Sequence, residues 1–394
     1  MTFGHSTAPT RIDPWAVGAA IASISAVGIA LGLGLPLLSV ILERRGVSAS
    51  MIGANTAFAG IASLIAAPLV TPIARRLGVA TTMLLAILAS ALAAIGFYVF
   101  DDIAAWFGLR LVFHFAVTTL FILSEFWIST AAPPERRGLV LGLYATFLSL
   151  GFAAGPWLFS QVGSVGSLPF YLAAGILAAA SLPILAAWRH QPAMAPAEAG
   201  SGGAFWRYVV LVPTATAAVL VFGAVESGGF ALFPVYGERI GFAEGNSALL
   251  LTAIGLGNVL LQIPIGLLSD RMRDRRHLLV AFALIGLAGS LGLPLIAGDW
   301  WTMAAVLFVW GGVVAGLYTV GLAHLGSRLT GSDLAAANAA FIFCYAFGML
   351  LGPQVIGSSM DIFGPDGFAW SLGLFFAAYL ALTVARLTAG RKAA

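Results

Sequence analysis

Gly151-Phe-Ala-Ala-Gly155-Pro156 returns as Gly348-Met-Leu-Leu-Gly352-Pro353, 197 residues further along a chain of 394. Other pieces recur at nearly the same shift. Glu43-Arg44-Arg45-Gly46 is answered 195 residues on by Glu238-Arg239-Ile240-Gly241, and Gly28, Gly34 and Trp106 by Gly223, Gly229 and Trp301. The half-chain is written twice. In a chain this apolar, such a duplication points to a transporter built from two related helical bundles.

Composition sets the frame. Sixty per cent of the residues are hydrophobic and 9% are charged, with mean hydropathy +0.99. A soluble chain carries about 25% charged residues, so this one cannot cover a water-facing surface. Apolar runs of roughly 20 residues, each long enough to cross about 30 Å of hydrocarbon, follow one another almost end to end. The net charge of +3 suggests no nucleic-acid partner, because the arginines are scattered over short loops between apolar runs. The single cysteine, Cys344, lies inside an apolar run, excludes an internal disulfide and reads as packing. The tail before Trp15 is polar and the run after it is too long for a signal h-region, so the first segment reads as a retained helix.

Twelve spans are expected, near 15–41, 51–73, 79–99, 104–130, 139–161, 168–188, 207–236, 247–269, 278–297, 300–327, 335–357 and 368–388. Gly, Pro and charge punctuate the breaks, as in Ala132-Pro133-Pro134-Glu135-Arg136-Arg137. Residues 189–206 form the longest polar, Pro/Gly-rich gap and fall between the copies. The expected division is therefore 1–188, a linker at 189–206, and 207–394. Arg75, Arg76, Arg136, Arg137, Arg189, Arg207, Arg271, Arg273, Arg275, Arg276, Arg328, Arg391 and Lys392 fall on one side of the spans. The other side carries only Arg44, Arg45 and Arg239, beside seven acids. Positive loops stay cytoplasmic, so both termini are expected inside, in an inner-membrane protein with parallel repeats. Trp15, Trp106, Trp188, Trp206, Trp300 and Trp301 fit an interfacial aromatic belt.

With these features in place, the chain resembles the major facilitator superfamily. Gly266-Leu-Leu-Ser-Asp270-Arg271-Met-Arg-Asp-Arg275-Arg276 is similar to that family's cytoplasmic loop motif. Thr71-Pro-Ile-Ala-Arg75-Arg76-Leu-Gly78 keeps the basic residues of the motif without its acid. The Gly-x-x-x-Gly-Pro of the fifth span resembles a motif of proton-coupled antiporters, here present in both halves. The resemblance implies an all-α membrane protein of twelve transmembrane helices in two pseudo-symmetric six-helix bundles. It also implies that spans one, four, seven and ten line a central cavity.

Chemistry has to come from polar groups inside the spans, where ionisable side chains are costly. Arg110, His114 and Glu125 lie in the fourth span, Glu226 in the seventh and His324 in the tenth. At about 100° per residue, His114 is about 40° round from Arg110 and Glu125 about 20° from His114, which places the three on one face. Counting rise places Arg110, His114 and Glu226 roughly 5–10 Å outside mid-membrane, where Glu226 can pair with Arg110 across the halves. Glu226, with His114 and Glu125, is a candidate proton-coupling group; a fixed ion pair that never titrates fits Glu226 and Arg110 equally well. Glu125, deeper toward the arginine-rich side, suits a gate, and His324 a boundary residue. Asp270 with Gly266, Arg271, Arg275, Arg75 and Arg76 reads as a cytoplasmic charge latch. Gly151, Gly155, Pro156, Gly348, Gly352 and Pro353 read as a close-packed seam suited to two bundles that rock against each other.

Phe222, Phe230, Tyr318 and Tyr345 sit on plausible cavity helices, and hydrogen-bonding side chains are few. Such a wall suits an amphipathic or apolar organic substrate better than a sugar. No metal spacing, nucleotide loop or catalytic cluster competes, and Lys392 is the sole lysine. The reading is a cofactor-free, monomeric secondary transporter that exports a small organic compound against protons. Proton-linked uptake of an organic anion clamped by Arg110 is the alternative, followed by a membrane sensor or enzyme.

Overall fold

A computed structural model describes residues 12–133, 136–194, 205–272, 274–327, 329 and 331–392. Pro134, Glu135, Arg273, Arg328 and most of the expected linker lie outside the described residues. Fourteen α-helices follow in order: α1 Pro14–Arg44, α2 Ala49–Leu77, α3 Val79–Val99, α4 Ile103–Ala131, α5 Arg137–Val162, α6 Leu168–Ala179, α7 Ser181–Ala186, α8 Phe205–Leu211, α9 Pro213–Arg239, α10 Glu244–Arg271, α11 Arg275–Gly292, α12 Trp300–Gly326, α13 Gly331–Phe363 and α14 Asp366–Lys392. Twelve stretches among them are long and apolar enough to span a membrane.

Proline explains two departures from the expected spans. The sixth is broken at Ala180, because Pro183 has no N–H to return to Ala179. The seventh begins at Pro213, and α8 is a separate short helix before it. The eleventh runs longer than expected in both directions, over Gly331–Phe363. Trp106, in the first turn of α4, is fully buried, and its Nε1 donates to the Phe100 carbonyl over 2.7 Å.

The duplicated Gly-x-x-x-Gly-Pro motif does not sit between the bundles. It holds each one together. A Cβ on Gly151 would lie 2.8 Å from the Ser25 carbonyl oxygen of α1, and one on Gly155 would collide with the Gly32 backbone. In the second copy, Gly348 and Gly352 meet the backbone of α9 at Leu220 and Ala224. Small residues let these helix pairs approach backbone to backbone.

Between the bundles the most extensive contacts are α2 on α13 and α5 on α10, with α1 also meeting α9. With α10 the repeat of α2 and α13 the repeat of α5, these are one contact made twice about a pseudo-two-fold axis. Both are tight through the half of the helices away from residues 188–194, here called the distal end, and on α2 this reaches Gly60, against Leu350. There Gly53 abuts the Pro353 carbonyl, Gly357 abuts Ala49, and Ala153 fills the place of a side chain on Gly255. Toward the opposite, linker face the same helices stand apart. Gly142 of α5 and Gly266 of α10, about three turns from Ala153 and Gly255 on the same helix faces, have nothing within 4 Å of an added Cβ. The structure is closed at the distal face and open at the linker face.

Gly155→Leu should lower the melting temperature in detergent by an overpacking cost of about 1–3 kcal/mol. Gly34→Ala, on the same helix bundle but with open space around its Cβ, should leave it unchanged or slightly higher. Thermal unfolding followed by size-exclusion fluorescence checks both.

Candidate functional site

A cavity of about 40 Å³ opens beside the middle of α9, walled by α9, α10, α12 and α14, with Phe152 of α5 facing it from the other bundle. Glu226 is the only ionisable side chain on its wall and Asn258 the only amide; Phe222, Phe230, Phe233, Trp310 and Phe368 supply much of the rest. Glu226 stands at the midpoint of α9 and is partly accessible. Tyr345 donates its hydroxyl to Glu226 Oε2 over 2.6 Å.

Aromatic rings bracket the carboxylate along α9. One turn toward the distal face, Phe230 meets Phe152 edge-on across the bundles, with ring centres 5.7 Å apart. One turn toward the linker face, Phe222 lies 5.8 Å from Tyr318 and 6.1 Å from Tyr345. Tyr318 is within electrostatic range of both Glu226 and Glu125. Glu125 of α4 is likewise within electrostatic range of Tyr144 of α5. It is exposed, as a vestibule residue should be.

The expected Arg110–Glu226 pair is absent. Arg110 is 1% exposed and turns into its own bundle, where its Nε donates to Asn55 Oδ1 of α2 over 3.1 Å. Its guanidinium lies 5.9 Å from the Phe97 ring. His114, also buried, places Nδ1 3.2 Å from the Arg110 carbonyl, so that nitrogen carries the proton. Arg110 and His114 thus share the buried face expected of them, but Glu125 does not join them. The helical wheel located the face and missed that α2 and α3 cover its distal part. His324 lies in the last turn of α12 and is buried there.

At the distal face the bundles are pinned by the repeated Glu-Arg. Arg239 Nε and Nη2 donate to the two oxygens of Glu43 over 2.8 and 3.1 Å. In return, Arg44 reaches Glu238 over 3.4 Å and also Glu244. Each copy's arginine takes the other copy's glutamate. Beside them Asp361, at the end of α13, accepts from the backbone N–H of Ala49 and Ser50 over 2.9 and 2.8 Å, capping α2 from the other bundle. Sequence reading used Glu43-Arg44 and Glu238-Arg239 only as evidence of duplication. A like-placed pair of opposite charges at the ends of the first and seventh spans was the signal that they bond reciprocally.

Comparison with known proteins fits this arrangement. The pattern of the Major Facilitator Superfamily matches residues 20–258 and 240–393. The chain belongs to the Major Facilitator Superfamily. The chain is 27% identical over 353 residues to the uncharacterized MFS-type transporter YfkF of Bacillus subtilis, covering 86% of this chain and 87% of that one. The MFS-type transporter YcaD of Salmonella typhimurium is 24% identical over 279 residues, 70% of this chain and 71% of the relative. Among solved structures, the nucleoside transporter NupG superposes with TM-score 0.76 at 15% identity, over 95% of this chain and 99% of that one. A bacterial homologue of the lysosomal transporter Spinster, inward-facing and unoccupied, gives 0.73 at 14% identity, over 95% and 96%. The superfamily is one of transporters, not enzymes.

The superfamily's loop motif lies at the open linker face. Asp270 is exposed and pairs locally with Arg275 over 3.4 Å, while Arg275 Nε donates to Ser269. Arg276 folds back on Asp274, and its hydrogen bonds hold that carboxyl down to about 2. Gly266 has open space around it, and Arg75, Arg76 and Arg271 are exposed. Among the described residues, Asp270 forms no ion pair with the first bundle. In this conformation the acid and its arginines are not a closed latch between bundles.

Two predictions follow from these charges. Reversing Arg239→Glu should favour distal opening by about 1 kcal/mol, or about fivefold. Maleimide labelling of Ser160→Cys in a Cys344→Ala background reads that opening from outside, and adding Glu43→Arg should return the rate to its starting value. At the buried cluster, Asn55→Leu should cost about 2 kcal/mol of stability by leaving a buried charge unpaired. The double replacement Asn55→Leu with Arg110→Met should cost little or stabilise in the same melting assay.

Proposed function

We propose that this chain is a proton-coupled exporter of small amphipathic organic compounds, working by alternating access. The observation that carries the reading is Glu226: one carboxylate, midway along α9, in an aromatic pocket, with no basic partner among the described residues. A carboxylate in so apolar a place is stable only with a proton or a cation upon it. Proton uptake and substrate release can then share one group.

The two moving bodies are residues 1–188 and 207–394, tethered by 189–206. We place the arginine-rich linker face and both termini in the cytoplasm and the protein, as a monomer, in the inner membrane. In that orientation the described conformation faces inward. Breaking the reciprocal pairs of Glu43, Arg44, Glu238 and Arg239 opens the distal side, and Asp270 and the arginines of the linker face are then free to latch the inner one. Uptake of an organic anion loses its support, because the proposed clamp Arg110 is occupied by Asn55 and buried. A nucleoside, the substrate of NupG, would leave its base and ribose with too few partners in a wall offering Asn258 and Glu226.

Inside-out vesicles with an imposed proton gradient test the proposal against a panel of amphipathic dyes. Wild type should accumulate dye, a protonophore should abolish it, and Glu226→Gln should lose at least about tenfold in rate. Accumulation that survives Glu226→Gln would sink the assignment of the coupling group.

A further inference from the structure

We infer that the pocket around Glu226 selects organic ammonium ions, with the charged head against the carboxylate and the apolar body lying in the vestibule. This rests on the transport reading for its purpose, but the argument concerns binding alone. The side chains of the two bundles divide by sign. The cation of the membrane interior, Arg110, is sealed with the neighbouring His114 between α2, α3 and α4 at 1% and 3% exposure. The anionic members, Glu226 and Glu125, are the ones that face the open space, and both lie within electrostatic range of the same ring, Tyr318. A solute entering from the linker face therefore meets two carboxylates in succession, and the pocket wall offers no positive group.

The rest of the wall agrees. Ring faces carry negative potential, and a cation set against several of them gains beyond the burial of its apolar groups. Phe222, Tyr318 and Tyr345 form a cluster with centres 5.8 to 6.1 Å apart, directly on the vestibule side of the carboxylate. Tyr345 belongs to this cluster and also holds Glu226 by its hydroxyl, so ring and acid are positioned as one unit. The distal way out is shut by Phe152 against Phe230. A cavity of about 40 Å³ takes an amine head and not a whole drug-sized molecule, which leaves the body of the ligand in the vestibule. An anion of the same shape would meet two carboxylates and the ring faces, and would be refused by charge alone.

Three probes of one skeleton isolate the charge: phenylbutylamine, phenylbutanol and phenylbutyrate, which are cationic, neutral and anionic at neutral pH. Binding to the purified full chain in lipid nanodiscs, with no gradient, is followed by ligand-induced thermal stabilisation and by equilibrium dialysis. The amine should bind at least about tenfold more tightly than the alcohol, and the acid more weakly than either. Glu226→Gln should bring the amine down to the alcohol's affinity. Phe222→Leu, which keeps the carboxylate, should weaken the amine more than the alcohol. Should Glu226→Gln fail to fold, the order of the three probes on wild type and the Phe222→Leu contrast still decide. Equal or tighter binding of the acid, or an amine affinity untouched in Glu226→Gln, overturns the inference. Amine binding without proton-driven movement in vesicles would instead sink the coupling reading and leave this one standing. Proton-driven transport of dyes with no preference among the three probes would do the reverse.

Discussion

Everything in this structure turns on how closely two helix backbones can approach. Where Gly151 and Gly155 meet α1, and Gly348 and Gly352 meet α9, there is no room for a single methyl group. That contact makes each bundle a rigid body. The second set of close approaches, Gly53 to Pro353, Gly60 to Leu350 and Gly357 to Ala49, lies between bundles and in their distal half. Rigid bodies joined along one edge can hinge about it. The polar contacts then lock whichever position the small residues permit, and each exposed pair contributes of order 1 kcal/mol or less.

The lock is shared rather than strong. Glu43 with Arg239 and Arg44 with Glu238 are partly exposed pairs, and Asp361 caps α2 where water would serve nearly as well. A gate built of several weak bonds to solvated groups opens without large cost, because water replaces each partner as it leaves. A buried pair such as the one first expected between Arg110 and Glu226 would have been a poor gate. Its rupture in hydrocarbon would strand two charges. The chain instead keeps its buried cation pinned within one bundle and its mobile contacts at the surface.

Sequence read the scaffold well and the chemistry unevenly. Duplication and twelve spans were legible because hydrophobic runs and small-residue spacing are local signals. Glu226, Tyr345 and Phe222 were legible as residue types on cavity helices. Their alliance around one cavity was not, because it joins side chains more than a hundred residues apart. Arg110 failed for a clear reason. Helical phase tells which side chains share a face, but the neighbour covering that face is set by tertiary packing, here by Asn55 of α2 and Phe97 of α3. The Gly-Pro motifs were read correctly as close packing and assigned to the wrong pair of bodies, since spacing alone does not name a partner.

The halves repeat in their mechanics and differ in their chemistry. The position 195 residues before Glu226 is Leu31, so the pocket's acid occurs once. One carboxylate accommodates one positive charge at a time, whether a proton or an ammonium head. A cycle that trades one for the other moves no net charge across the bilayer. Such an exchange is electroneutral, blind to the membrane potential that otherwise supplies about 2.3 kcal/mol per charge per 100 mV. It would run on the pH difference alone, and continue in a cell whose potential has collapsed.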